Sequence, residues 1–129
     1  MTRVDSAVTV WNRRVLLVFA PILIATGVAG LLFPSSTTLM SSAVPYDVFH
    51  IVSGTVGLLI AIAGRPRPIA IFNLSFGAID LWQAVAGATG LPPAALFALR
   101  PADHVVHVVI GLALAAIGSV GLRTRVTGR

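Results

Sequence analysis

Cysteine, lysine and glutamate are absent from this sequence, and charge of either sign is scarce. Without cysteine the chain can form no disulfide, no thiolate metal site and no iron–sulfur cluster. Only 10% of the residues are charged and 57% are hydrophobic, whereas the average soluble domain is about 25% charged. A chain of 129 residues has too little interior to shield so much apolar surface from water. The composition therefore predicts a protein that is surrounded by lipid.

The charged residues that remain belong to two types, because all nine basic residues are arginine and all four acidic ones are aspartate. The arginines lie in short clusters beside apolar stretches and form no basic face, so we expect no nucleic-acid partner. We also expect no enzyme. The chain lacks the usual nucleophilic and acid–base side chains of cysteine, lysine and glutamate, and no spacing favours a serine–histidine–aspartate group. We therefore assign no catalytic residue.

Four apolar stretches follow one another along the chain, at residues 15–33, 48–64, 69–89 and 104–122. Each is close to the roughly 20 residues that cross about 30 Å of hydrocarbon. Helix-breaking residues separate them: Pro34 with a Ser/Thr run, then Arg65-Pro66-Arg67-Pro68, then Gly90-Leu91-Pro92-Pro93. The pattern predicts an all-α integral membrane four-helix bundle that forms one transmembrane domain over residues 1–129.

The second half of the chain resembles the first at an offset of 57 residues (Val28 to Val85). Val28-Ala29-Gly30 recurs as Val85-Ala86-Gly87, and His50-x3-Gly54 recurs as His107-x3-Gly111. The halves extend over about 12–67 and 69–124. We interpret the bundle as two helical hairpins that arose by duplication.

The distribution of arginine predicts the orientation of these spans. With four spans, the N-terminus, the second loop and the C-terminus share one side of the membrane. That side holds Arg3, Arg13, Arg14, Arg65, Arg67, Arg123, Arg125 and Arg129, and the other side holds Arg100. Positive charge favours the cytoplasmic side, so we expect a plasma-membrane protein with both termini in the cytoplasm. Trp11 and Tyr46 would then anchor the inner and outer interfaces.

Four ionisable residues begin the second and fourth spans and form a candidate outer-face cluster: Asp47, His50, Asp103 and His107. The aspartates suit capping of the helix starts. The histidines lie at equal depth above stripes of small residues, which indicates that both point into the bundle. Three roles stay open for them: structural hydrogen bonding, ligation of haem or a metal by His50 and His107, and proton sensing or relay.

Asp80 is the ionisable residue nearest the middle of a span, and its counterpart in the first half is the apolar Leu23. Its helical stripe includes Asn73, and Thr26 and Thr55 lie at comparable depth, so these four residues form a candidate intramembrane polar site. We expect Asp80 to be protonated, because an unpaired carboxylate is costly in hydrocarbon. It would then act as structural glue bonded to the threonine hydroxyls, as a proton or cation site, or as a contact to a basic partner.

The motifs His50-x3-Gly54-x2-Gly57 and Asp103-x3-His107-x3-Gly111 resemble those of a family of small bacterial membrane proteins known as domain of unknown function 4383. The resemblance covers nearly the whole chain, with four spans in the same order. It implies a four-helix membrane protein without an established activity, and it adds weight to His50, Asp103 and His107 as one cluster.

The sequence leaves three functions open. The first is a non-enzymatic structural or accessory subunit that packs on itself or on a larger membrane complex through Gly/Ala helix faces, without a cofactor. The second is a small proton- or cation-linked transporter that uses Asp80 with His50 and His107. The third is a haem-binding redox module ligated by the same two histidines.

Overall fold

A computed structural model describes the backbone of residues 3–33 and 35–124, and the side chains of 6–33 and 35–124. Pro34, Arg125, Arg129 and the side chain of Arg3, which entered the predictions above, lie outside these described residues. The described residues are all-helical, with 86% of them in helices and none in a strand. The helices are α1 (Arg3–Leu32), α2 (Val44–Ala63), α3 (Pro66–Thr89), the short α4 (Ala94–Phe97) and α5 (Pro101–Arg123), with a 3₁₀ turn at Ser35–Thr37.

The long helices begin earlier than the apolar stretches do. Proline occupies the first or second position of α2, α3 and α5, where its missing N–H costs nothing and its fixed φ suits a helix. These first turns are polar, so hydropathy alone did not find them. Gly64 (φ 69°) and Gly90 (φ 73°) end α2 and α3 in the left-handed conformation, which glycine adopts without strain.

The four long helices pack chiefly as two hairpins, α1 with α2 and α3 with α5. Small residues permit this close approach. A Cβ at Gly77 would lie 2.5 Å from the backbone nitrogen of Ala115 on α5, and one at Gly54 would lie 2.7 Å from the carbonyl oxygen of Ala20 on α1. The small-residue faces predicted for helix contact are therefore filled within the chain.

Aromatic and aliphatic side chains join the two hairpins. The rings of Phe19 and Phe76, which are separated by the 57-residue offset, meet edge to face with centroids 5.4 Å apart. Large apolar side chains cover the outside, among them Val18, Ile62 and Val109. All four long helices are long and apolar enough to cross a membrane. The predicted fold class, a helical bundle with four such helices, is confirmed, and the architecture is that of a multi-pass membrane protein.

The two ends of the bundle differ in chemistry. We call the end where α1 finishes and α2 and α5 begin the Asp103 end. The opposite end, where α1 begins and α2 joins α3 through Gly64 and Arg65, we call the arginine end.

Candidate functional site

Tyr46 lies at the centre of a buried polar cluster at the Asp103 end. It belongs to the first turn of α2 and is 0% exposed. Its hydroxyl lies 2.8 Å from Nε2 of His107 and can donate to Oδ1 of Asp103 at 3.3 Å. Its ring centroid lies 4.1 Å from that of His50 and 5.9 Å from that of His107. The prediction that Tyr46 anchors the membrane interface is therefore wrong, because the side chain turns into the bundle.

Asp103 accepts hydrogen bonds from three parts of the chain. Its Oδ2 receives the backbone N–H groups of Ser41 (3.0 Å) and Arg100 (2.7 Å), and its Oδ1 faces the Tyr46 hydroxyl. The bond from the Arg100 N–H caps the start of α5, and the Asp103 N–H donates in return to the Arg100 carbonyl oxygen. The predicted capping role is confirmed for Asp103, which in addition ties the segment before α2 to α5.

The loops close over this cluster. Nη1 of Arg100 donates to the carbonyl oxygens of Ser35 (3.0 Å) and Thr38 (2.6 Å). The hydroxyl of Ser41 donates to the carbonyl of Phe97 in α4, and the Phe97 ring packs on Tyr46 with centroids 5.4 Å apart. The cluster is thus covered by protein at the end of the bundle.

Asp47 behaves differently from Asp103, although both were predicted as caps. Because α2 begins at Val44, the backbone N–H of Asp47 is already bonded to the carbonyl of Ala43, and its side chain lies beyond the free N–H groups of the first turn. Asp47 is 1% exposed, and neither carboxylate oxygen has a partner among the described residues. The carboxylate lies directly against Gly30 of α1. The capping prediction for Asp47 is wrong.

The two histidines of the predicted outer-face cluster both point into the bundle, as expected. His50 is 4% and His107 is 3% exposed. Tyr46 bridges them, since its ring contacts both imidazoles. Nδ1 of each histidine has no hydrogen-bond partner among the described residues. Three members of the predicted cluster, His50, Asp103 and His107, therefore form one site, and Tyr46 is the member that the sequence prediction missed.

Asp80 is buried on α3, with only 4% of its surface exposed. Its Cβ faces Gly111 of α5, one helical turn below His107. Gln83 lies one turn nearer the Asp103 end, is 2% exposed, and leaves Oε1 without a partner among the described residues. Asp80 and Gln83 are therefore buried polar side chains on α3, and among the described residues no hydrogen bond joins either of them to His107.

The predicted bonds from Thr26 and Thr55 to Asp80 are not formed. Each hydroxyl donates to a carbonyl one turn earlier in its own helix, Thr26 to Ile22 (2.8 Å) and Thr55 to Ile51 (2.7 Å). Threonine commonly bonds its own backbone in this way. Each threonine hydroxyl is therefore bonded within its own helix, and the prediction that Thr26 and Thr55 bond Asp80 is wrong.

Asn73 belongs to a separate contact nearer the arginine end. Its Nδ2 donates to the side-chain oxygen (3.0 Å) and the carbonyl (3.2 Å) of Asn12. Nδ2 of Asn12 in turn donates to the carbonyl of Ile117 at 2.9 Å. This asparagine pair joins α1, α3 and α5, so the four residues of the predicted intramembrane site do not form one site.

The arrangement does not fit haem. Nε2 of His107 is engaged by the Tyr46 hydroxyl, and the Tyr46 ring contacts both imidazoles, so a porphyrin ligated by the two histidines would have to displace it. Among the described residues, no group of three or more histidine, cysteine, aspartate or glutamate side chains is arranged to hold a metal ion.

Comparison of the chain with protein-family models, with curated proteins and with solved structures finds no match. Membership of the family of domain of unknown function 4383 stays a prediction from the two histidine motifs.

Proposed function

We propose that this chain is a non-enzymatic multi-pass membrane protein that binds and passes protons through the Asp103–Tyr46–His107 chain. The observation that carries the proposal is the Tyr46 hydroxyl, held between an imidazole nitrogen and a carboxylate oxygen in a fully buried site. Ionisable side chains are expensive inside a bilayer and are characteristic of ion and proton pathways.

The Tyr46 hydroxyl has one proton and two neighbouring acceptors, which gives the chain two hydrogen-bonded states. When Nε2 of His107 carries no proton, the hydroxyl donates to it. When a proton binds at Nε2, the imidazolium donates to the tyrosine oxygen, and the hydroxyl turns its own proton towards Oδ1 of Asp103. The positive charge on His107 is then balanced by the Asp103 carboxylate, so the His107–Asp103 pair as a whole is neutral.

Asp80 provides the next proton acceptor towards the middle of the bundle. It lies about one turn below His107 and has no cationic neighbour within its own span. A carboxyl group in such a place is either protonated and neutral, or ionised with a cation beside it. This is the transport hypothesis from the sequence, which used Asp80 with His50 and His107, and to which Tyr46 and Asp103 are now added.

The proposed orientation places the Asp103 end outside the plasma membrane and both termini in the cytoplasm. The support is the arginine distribution, eight residues against Arg100 alone. Because the chain has no cysteine, single cysteines can report the sidedness without background. In intact cells, a membrane-impermeant maleimide should label Ser36→Cys and leave Arg67→Cys unlabelled. The reverse pattern would overturn the orientation.

We also propose that the two hairpins arose by duplication. The contacts of equivalent residues support this proposal, because Gly30 lies against Asp47 and Gly87 lies against His104, a pair shifted by the same 57 residues.

Proton flux in reconstituted vesicles tests the function. We expect vesicles that enclose a pH-sensitive dye to acidify faster with the protein than without it when a potassium diffusion potential draws protons inward. Tyr46→Phe should remove most of this flux, because it keeps the ring and deletes the hydroxyl. The control is Trp82→Phe. The Trp82 side chain lies outside the cluster and donates to the Pro92 carbonyl. Flux equal to that of empty vesicles, or full flux in Tyr46→Phe, would overturn the proposal.

A structural or accessory subunit, in a homo-oligomer or a larger membrane complex, is the second candidate. The asparagine pair supports a structural role for buried polar side chains within this chain, because Asn12 and Asn73 join three of its helices without any ionisable group. Asp80→Asn separates the two candidates. Lost flux in a protein that still assembles supports proton transfer, whereas lost assembly supports the structural role.

A further inference from the structure

A groove of about 340 Å³ runs along the outer face of α1 near the arginine end. Its lining residues all come from α1: Trp11, Arg14, Val15, Val18, Phe19 and Ile22. Val18 and Ile22 are both more than half exposed. The groove is therefore apolar and open to the side of the bundle, and it has one cationic side chain, Arg14, at its end.

The length of α1 places this cationic end at the membrane surface. About 20 helical residues cross the hydrocarbon, and α1 ends at Leu32. Counting back from Leu32 brings the boundary to the level of Arg13 and Arg14. The guanidinium of Arg14 lies 5.9 Å from the ring centroid of Trp11, and tryptophan favours the headgroup region. The groove thus begins among the headgroups and continues among the acyl chains.

Positive charge dominates this end of the bundle. Arg14, Arg65, Arg67 and Arg123 are all exposed there. The carboxylates whose side chains are described, those of Asp47, Asp80 and Asp103, lie in the other half of the bundle. Asp5, whose side chain is outside the described residues, lies near the start of α1 at this end, where the arginines outnumber it. The excess positive charge at the groove is therefore complementary to an anion from outside the chain.

The charge also decides between the two obvious occupants of the groove. A second copy of this chain packed on the same face about a twofold axis would bring Arg14 of one copy towards Arg14 of the other, and the like charges would repel each other. A phospholipid with an anionic headgroup brings opposite charge to Arg14 and an apolar chain to the groove.

We propose that this groove binds an anionic phospholipid, with the phosphate at Arg14 and one acyl chain along Val15, Val18 and Ile22. The site is separate from the proton-binding cluster, and its test does not depend on that function. Trp11 forms part of the wall and provides a fluorescent reporter of the bound chain.

Quenching of Trp11 by brominated lipid tests the proposal. The Trp82→Phe variant leaves Trp11 as the one tryptophan. It is reconstituted in phosphatidylcholine vesicles that contain the same mole fraction of either acyl-brominated phosphatidylglycerol or acyl-brominated phosphatidylcholine. We expect stronger quenching by the brominated phosphatidylglycerol, because the groove concentrates it beside Trp11. Arg14→Gln in the same background should abolish the difference between the two lipids.

Arg123→Gln is the matched control, since it removes an exposed arginine from the same end without touching the groove. It should keep the preference for phosphatidylglycerol. Equal quenching by the two lipids in the parent protein would overturn the proposal, as would a preference that survives Arg14→Gln or is lost equally in Arg123→Gln. Absence of quenching by either lipid would show that protein covers this face, and would also overturn it. Each variant is compared between the two lipids, so any effect of Arg14 on Trp11 emission cancels.

Discussion

Removal of the Tyr46 hydroxyl should destabilise the protein, because the hydroxyl is buried in the first turn of α2 between His107 and Asp103. Tyr46→Phe leaves the ring contacts with His50 and Phe97 in place and deletes the group that faces His107 and Asp103. In soluble proteins a buried polar group without a partner costs about 1–3 kcal/mol. Interhelical hydrogen bonds in membranes contribute about 0.6 kcal/mol on average, and up to about 1.7.

Asp103 retains the N–H groups of Ser41 and Arg100 after this change, whereas Nε2 of His107 loses the one partner described for it. We therefore expect Tyr46→Phe to lower the free energy of unfolding by about 1–2 kcal/mol, between the membrane and soluble values. The assay is reversible unfolding in mixed micelles of mild detergent and dodecyl sulfate, followed by circular dichroism.

Thr55→Val is the matched control, because it also deletes a hydroxyl from α2. The Thr55 hydroxyl is exposed and bonds its own helix, so we expect a change below about 0.5 kcal/mol. A double-mutant cycle of Tyr46→Phe with His107→Leu should give a coupling energy of about 1 kcal/mol. If Tyr46→Phe costs no more than Thr55→Val, or the coupling is zero, the bridging role assigned to the hydroxyl is wrong.

Four further substitutions follow from the packing and the polar contacts, and their stability is read out in the same unfolding assay. Gly77→Ala should cost about 1–3 kcal/mol, because its Cβ would meet the backbone of α5 and force the helices apart; the exposed neighbour Ala78→Val should be nearly neutral. Asn73→Leu should cost about 1 kcal/mol by removing the donor to Asn12. Asp103→Asn should speed amide hydrogen exchange at residues 38–43 and destabilise the fold, because a neutral amide oxygen is a weaker acceptor for the Ser41 and Arg100 N–H groups than the carboxylate Oδ2. Asp47→Asn should be neutral or stabilising, because the Asp47 carboxylate oxygens have no partner to lose among the described residues.

These substitutions also have clear contrary outcomes. If Gly77→Ala is as stable as the parent protein, α3 and α5 do not approach as closely as described. If Asn73→Leu is neutral, the asparagine pair does not hold the three helices. If Asp47→Asn destabilises the protein more than Asp103→Asn does, Asp47 and not Asp103 is the carboxylate that stabilises the fold.

The sequence by itself determined the helices, because a bilayer requires each spanning segment to satisfy its own backbone hydrogen bonds and to be apolar over a fixed length. Both requirements can be read locally. The same local reading predicted that small residues such as Gly77 and Gly111 mark contact faces, and that His50 and His107 enter the bundle at equal depth. The 57-residue offset also makes Tyr46 the equivalent of Asp103 (46 to 103), although Tyr46 lies outside the two histidine motifs.

Only the tertiary structure decided which side chains meet. Depth along a helix is given by residue number, but the direction of a side chain depends on the rotation of each helix about its axis, and that rotation is set by the packing of all four helices together. Thr55 therefore has the depth of Asp80 and still bonds its own helix. Asp47 and Asp103 look alike in sequence, yet the start of α2 at Val44 places Asp47 beyond the free N–H groups, while the start of α5 at Pro101 lets Asp103 accept from the Arg100 N–H. Tyr46 joins two histidines for the same reason: its helix is turned so that the ring faces the bundle and not the membrane surface.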